Sequence, residues 1–183
     1  LVIGSSSNSN SGVMIRTGTS GTGRLNFGDN SGSSADRSRG FVHYTHSNDS
    51  MQIGTGSSER MRIDSSGRVL IGTTVEGHST ADDLTVATSG HTGISIRSGT
   101  SNNGNIYFSD GTSGNAELAG YIQYSHSSNS MLFGTNESNA MLIDSSGRVG
   151  IGTISPSVTL DIEAITPTIR LTDSDASGTP ESE

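Results

Sequence analysis

MRIDSSGRVLIGT, at residues 61–73, returns as MLIDSSGRVGIGT at residues 141–153, and this repeat is the strongest indication of the fold in the sequence. The two copies differ only at Arg62/Leu142 and Leu70/Gly150. The match extends upstream through recurring Arg, Gly, Tyr, His and Met positions, with a one-residue change of offset. A repeat of this length is typical of an extended array of similar modules. It predicts one module at residues 1–79, a second at residues 80–156, and a third, truncated one that starts at residue 157 and runs to residue 183.

Each copy of the repeated stretch predicts a short β-hairpin. Asp64 can accept hydrogen bonds from its own turn and Gly67 can adopt a positive φ, and Asp144 and Gly147 stand at the same positions. On both sides of the turn, apolar residues occupy alternate positions, so each set shares one face of the hairpin. These residues are Met61, Ile63, Val69 and Ile71 in the first copy and Met141, Ile143, Val149 and Ile151 in the second.

The rest of the chain predicts an all-β fold. Short runs rich in Ile, Val, Tyr and Phe are bounded by Gly, Ser and Asn, as is typical of strands. The predicted strands cover residues 12–16, 24–28, 40–45 and 50–54 in the first module and residues 93–97, 105–109, 120–125 and 130–134 in the second. Residues 81–86 are the best candidate for a short helix, although the repeat favours the entrance to a strand there.

The composition restricts how such strands can be stabilised. Hydrophobic residues make up only 29% of the 183 residues, and Leu, Ile, Val and Phe together about a fifth. One isolated hairpin is marginally stable in water, so its apolar face needs a cover. We expect further copies of the chain to supply it, with three identical Met/Ile/Val faces meeting at a threefold axis. The eight alternating apolar residues are therefore the predicted trimer core.

Charge and composition also argue against several classes of function. The formal net charge is -8, all ten basic residues are Arg, and no basic run suggests nucleic acid or an anionic membrane as a partner. No apolar run reaches the length of a membrane span. Because Lys and Cys are absent from the sequence, P-loop, Schiff-base and thiol chemistry have no residues to use. We expect no catalytic residue, no metal and no cofactor.

The phrases ERMRIDSSGRVLIGTT (residues 59–74), NAMLIDSSGRVGIGTISPSVTLDI (residues 139–162) and TPTIRLTDSDASG (residues 166–178) resemble shaft repeats of tailed-phage fibre proteins, especially those of marine and cyanobacterial phages. The resemblance implies an elongated, interwoven homotrimer with a shaft like a β-prism or β-helix. It also implies a place in the virion, outside the host cell, with other tail proteins as partners. Such fibres often end in a C-terminal intramolecular chaperone domain, which nothing in this sequence matches. The implied function is to project a host-receptor-binding tip towards a bacterial host.

Two other functions remain open from the sequence. Tyr44, Tyr107, Tyr121 and Tyr124 could stack on sugars, which would make the segment a direct glycan-binding module for the host surface. The chain could also be the stalk of a bacterial trimeric surface adhesin, which would be built in a similar way.

Three further motifs are weaker candidates for sites. His46 and His126 recur and could meet symmetry mates around a metal ion. Residues 173–178, DSDASG, match the start of a calcium loop, although a polar turn is the simpler interpretation. Arg68 and Arg148 follow the turn glycine and could pair with Asp64 and Asp144 or with acids of a neighbouring chain.

Overall fold

The computed structural model describes residues 12–29 and 36–172. The chain divides into two units, Leu1–Ile94 and Ser95–Glu183, and each contains one six-stranded sheet. The described residues contain no α-helix, and their helical segments are the 3₁₀ turns Asp36–Ser38 and Gly114–Leu118. The predicted all-β class is therefore confirmed.

Both sheets have the same topology, with the strands in sequence order across the sheet. The first five strands of each sheet run antiparallel, and the sixth pairs parallel to the fifth after a crossover. The strands of the first sheet are β1 (Thr22–Phe27), β2 (Gly40–Thr45), β3 (Ser50–Thr55), β4 (Ser58–Ile63), β5 (Val69–Ile71) and β6 (Leu84–Val86). Those of the second are β7 (Asn103–Phe108), β8 (Gly120–Ser125), β9 (Ser130–Thr135), β10 (Ser138–Ile143), β11 (Val149–Ile151) and β12 (Leu160–Ile162).

Local turn chemistry explains why these strands pair in register. The two-residue connection between β3 and β4, Gly56 and Ser57, has φ of 59° and 60°, the double positive φ of a type I′ hairpin turn. Asn136 and Glu137 make the same connection in the second unit, with φ of 50° and 62°. A bulge then follows in β4 and in β10, so the register of each strand pair shifts before the repeated hairpin begins.

The last strand of each sheet comes from beyond the predicted module boundary. β6 follows residue 79 and β12 follows residue 156, yet each completes the sheet of the preceding module. The parallel crossover returns the chain to the edge of the same sheet. There the Val69 N–H donates to the Asp83 carbonyl in the first unit, and the Val149 N–H donates to the Thr159 carbonyl in the second. The structural units therefore extend past the boundaries expected from the sequence repeat.

The predicted strands at residues 12–16 and 93–97 are wrong, because both segments lie outside the two sheets. Each is instead held against a sheet through one isoleucine. Ile15 Cγ2 lies 3.5 Å from the position that a Cβ on Gly23 would take, and Ile96 Cγ2 lies 3.4 Å from the same position at Gly104. The glycines leave room for these side chains, so the repeated apolar residues cover a strand and do not form one.

Candidate functional site

The main candidate site is one continuous side of each sheet, which we call the apolar face. In antiparallel and parallel ladders, directly paired residues point to the same side of the sheet. In the first unit two rows of paired residues cross the sheet: Leu25, Val42, Ile53, Met61, Ile71 and Val86, and beside them Gly23, Tyr44, Met51, Ile63, Val69 and Leu84. Together with Phe27 at the end of β1, these rows define the apolar face of the first unit.

The second unit repeats this arrangement strand for strand. Its apolar face consists of Ile106, Ile122, Phe133, Met141, Ile151 and Ile162, with Gly104, Tyr124, Met131, Ile143, Val149 and Leu160 in the second row and Phe108 at the end of β7. The eight residues predicted to form a trimer core all lie on these two faces, on the fourth and fifth strands of each sheet.

The apolar faces are open. Phe27 is 59% exposed and Leu84 is 56% exposed, and even the central Ile63 and Ile71 are more than a third exposed. Burying an exposed Ile, Leu or Phe side chain completely is worth about 1.5–3 kcal/mol. Contiguous apolar surface of this kind marks an interaction site or an aggregation liability in a soluble chain. Covering these faces would thus add substantially to the stability of the described part of the chain.

The segments carrying Ile15 and Ile96 cover one edge of each apolar face. In the first unit Val13 and Ile15 line a groove of about 440 Å³ with Tyr44, His46 and Met51. The second unit has a smaller groove of about 250 Å³, which Ile96, Tyr124, His126 and Met131 help to line. Both grooves are part of the apolar face, which leaves the site continuous from the segment to the last strand.

The opposite side of each sheet, which we call the polar face, has a different chemistry. In the first unit it carries Arg24, His43, Gln52, Arg62 and Thr85 in one row across the sheet. Leu70 lies within that row at only 1% exposure. The few buried side chains of the sheet are thus on or beside the polar face, which is already packed within the unit.

An ion pair stabilises the polar face next to the bulge in β4. The Arg62 guanidinium donates two hydrogen bonds to the Glu59 carboxylate, at 2.8 and 2.9 Å. The hydrogen bond to Glu59 raises the pKa of the Arg62 guanidinium above its ordinary value. Because the bulge inserts Arg60, two residues three apart in sequence reach the same side of the sheet.

The turn of the repeated hairpin is held by one carboxylate. Asp64 Oδ1 accepts from the backbone N–H of Ser66 and of Arg68, Asp64 Oδ2 accepts from the Arg68 side chain at 2.7 Å, and Gly67 has φ of 84°. Desolvation alone would raise the pKa of Asp64, but the hydrogen bonds from Arg68 and Ser66 outweigh it, so the pKa lies below its ordinary value. The turn therefore fixes the register that places the hairpin's apolar residues on one face.

The second unit builds the same turn with fewer ion pairs. Asp144 accepts from the backbone of Ser146 and Arg148 and from the Arg148 side chain, and the backbone bond from Arg148 contributes most to its lowered pKa. Arg68 also contacts Asp82 at 3.0 Å in the longer crossover of the first unit. Each arginine thus pairs with the aspartate of its own turn.

The four tyrosines do not form one cluster. Tyr44 and Tyr124 lie on the apolar faces, where their hydroxyls donate to Asp49 and Asn129 of the following turn. Tyr107 and Tyr121 are paired on the polar face of the second unit, 6.5 Å apart in an edge-to-face arrangement. No local sequence pattern predicts this separation, because it depends on which residues pair across β7 and β8.

The recurring histidines pack against tyrosines. The rings of His46 and His126 lie 5.0 Å from those of Tyr44 and Tyr124, edge to face. Among the residues that the structure describes, no group of three or more His, Asp or Glu side chains is placed to hold a metal ion. The calcium-loop match at residues 173–178 lies outside the described residues. No helix in the described ranges has the length and hydropathy to span a membrane.

Sequence analysis missed two parts of the apolar face. It did not include Leu84 and Val86 with the first module, and it did not assign Tyr44 and Met51 to the same side as the hairpin. A register count through the two-residue turn at Gly56 places Met51 opposite Arg62, and only the bulge at Arg60 brings Met51 opposite Ile63. The sequence around Leu84 predicts the entrance to a strand but not its pairing with β5. No protein-family model and no curated protein matches the chain.

Proposed function

We propose that the chain is a structural segment of a trimeric viral tail fibre, in which the apolar faces of three copies meet along a common axis. The observation that supports this most is the open apolar face, which occurs at equivalent positions in both units. A single chain gains little from keeping such a surface, whereas an assembly buries it. The number of copies comes from the resemblance of residues 59–74 and 139–162 to phage fibre shaft repeats.

The two sides of the sheets suit these roles. The polar face carries charged and hydroxyl groups and already contains the buried Leu70. The apolar face carries the predicted trimer core. In a fibre, the polar face would be exposed to the solvent around the virion, and the apolar face would lie against the axis. The segment's task would be mechanical, with other tail proteins and a receptor-binding tip joined to it.

The test is the native mass of the chain after release from a cleavable trimerising domain. We expect a species of three times 18.8 kDa with a strong β-sheet signal in circular dichroism. Ile63→Asp should prevent that species from forming, because it would bring three carboxylates together in an apolar contact. A folded monomer that is unaffected by Ile63→Asp would contradict the proposal.

Gln52→Asp is the matched control for Ile63→Asp. Gln52 lies on the neighbouring strand but on the polar face, so the same charge is introduced without touching the apolar face. We expect this variant to keep the trimeric mass. Loss of the trimer in both variants would indicate that any added charge disrupts the sheet, and would remove support for an axial role of Ile63.

A further inference from the structure

A groove on the polar face of the second unit carries a half-exposed aromatic ring. Tyr107, on the edge strand β7, is 50% exposed. The groove has a volume of about 580 Å³, and polar groups surround the ring. Its lining residues are Tyr107, Ser109, Gly111, Thr112, Glu117 and Leu118.

The Tyr107 ring is supported by the ring of Tyr121 on the neighbouring strand. Tyr121 packs edge to face on Tyr107, with ring planes at 80°. Tyr121 is itself held in place: its hydroxyl donates to Asn139, and its ring occupies the space where Gly134 lacks a side chain. Tyr107 therefore presents its open surface from a supported position, which reduces the entropy lost when a ligand binds.

The rim of the groove is a closed loop. The backbone N–H of Asp110 donates to the Ala116 carbonyl at 3.0 Å, and the Ser109 hydroxyl donates to the Glu117 carbonyl. These bonds join the start of the loop, just after β7, to the 3₁₀ turn Gly114–Leu118. Thr112 and Glu117 are exposed and line the same groove as Tyr107, so the groove offers a hydroxyl group and a carboxylate that can bond to a ligand.

We propose that this groove binds a neutral oligosaccharide built from hexoses. Tyr107 offers an apolar surface that the C–H side of a pyranose ring can contact, while Glu117 and Thr112 match the hydroxyl groups at its rim. The ligand is neutral because Glu117 lines the groove and the chain carries a net charge of -8, both of which disfavour anionic sugars.

The described residues of the first unit do not repeat the pair of tyrosines. At the positions of Tyr107 and Tyr121 the first unit has Asn26 and Phe41, which are paired in the same way across β1 and β2. His43 stacks on Phe41 at 4.1 Å and hydrogen-bonds Asn26 at 2.6 Å. The polar face of the first unit therefore fills this place with its own side chains.

The groove and the proposed trimer axis use opposite sides of the sheet. The site itself needs only the second unit, and in a trimer it would remain open to solvent. Binding and native mass are therefore separate measurements on the same sample. A failure of one does not imply a failure of the other.

The experiment measures binding of the whole 183-residue chain to immobilised neutral gluco-, galacto- and manno-oligosaccharides, with sialylated and sulfated oligosaccharides on the same surface. We expect binding to at least one neutral series. Tyr107→Asn, which copies the residue of the first unit, should weaken it by about tenfold or more, whereas Tyr107→Phe should keep it within about threefold. Glu117→Gln should weaken it while leaving the thermal unfolding midpoint unchanged.

Three results would overturn the proposal. They are no binding to any neutral series, binding that Tyr107→Asn leaves unchanged, and binding confined to the anionic oligosaccharides. Tyr124→Phe serves as the control for a general effect of tyrosine loss, because Tyr124 lies on the apolar face and should not contribute.

Discussion

The ring of Phe41 lies directly over Gly54 on the neighbouring strand. A Cβ built on Gly54 would be 2.1 Å from two atoms of that ring, far inside van der Waals contact. Tyr121 covers Gly134 in the same way in the second unit, at the same 2.1 Å. An aromatic ring that fills the place of a missing side chain shields the strand backbone and fixes the pairing partner. Each sheet thus carries one such aromatic–glycine pair on its polar face.

Replacing Gly54 by Ala should therefore destabilise the first unit. The ring must leave its place or the strands must separate, and overpacking of this kind costs about 1–3 kcal/mol. We expect a lower midpoint in urea unfolding followed by circular dichroism. Gly90→Ala is the matched control, because an added Cβ there meets nothing within 4 Å. Equal midpoints for the two variants would contradict the role given to Phe41.

The hairpin turns make a separate prediction about the backbone. Gly67 has φ of 84°, and an added Cβ would contact nothing within 4 Å. Gly67→Ala should thus cost about 1–2 kcal/mol through backbone strain alone. Gly67→Asn should cost less, since Asn tolerates a positive φ better. Thermal unfolding of the two variants checks this order, and the reverse order would mean that the positive φ is not what selects glycine.

The repeat and the alternation of apolar residues were enough to predict much of the fold. β2 and β8 have the predicted bounds, and the strand entrance expected at residues 81–86 contains β6. These features are local, because period-two alternation and turn glycines determine them. The prediction failed at residues 12–16 and 93–97, where the same apolar pattern covers a glycine on a strand.

The parts of the site that could not be predicted depend on contacts distant in sequence. Nothing near Leu84 shows that it pairs with Val69, and nothing near Tyr107 shows that it meets Tyr121. Both pairings follow from the order of strands in the sheet, which a single sequence does not fix. The apolar face as a whole appears only when the hairpin is combined with the strands on both sides of it.

His43 predicts how the first unit responds to acid. Burial and then the charge of Arg24 lower the pKa of His43 below its ordinary value. Between the two pKa values the unfolded chain binds more protons than the folded one, so stability is fully present above the ordinary pKa and is lost as the pH falls through the lowered one. The urea midpoint should therefore be lower at about pH 5 than at about pH 7.5.

His43→Gln isolates this effect, because Gln123 occupies the same position in the second unit. We expect the variant to lose less stability between the two pH values than the unmodified chain does. His78→Gln, at an exposed histidine in the β5–β6 crossover, controls for a general effect of histidine removal. An unchanged pH dependence in His43→Gln would show that the acid response comes from other groups.

The two turn arginines should differ in their contribution to stability. Arg68 bridges Asp64 of the turn and Asp82 of the crossover, and its side chain is 25% exposed. Within the described ranges, Arg148 pairs only with Asp144, and its side chain is 41% exposed. An exposed ion pair contributes about 0–1 kcal/mol, so Arg148→Ala should have a small effect. Arg68→Ala also frees the crossover that positions β6 and should lower the unfolding midpoint more. Asp82→Asn tests the cause. If the pair with Asp82 explains the difference, Arg68→Ala made in the Asp82→Asn variant should lower the unfolding midpoint by about as little as Arg148→Ala does. Asp82→Asn should also reduce the effect of added salt on the stability of the first unit.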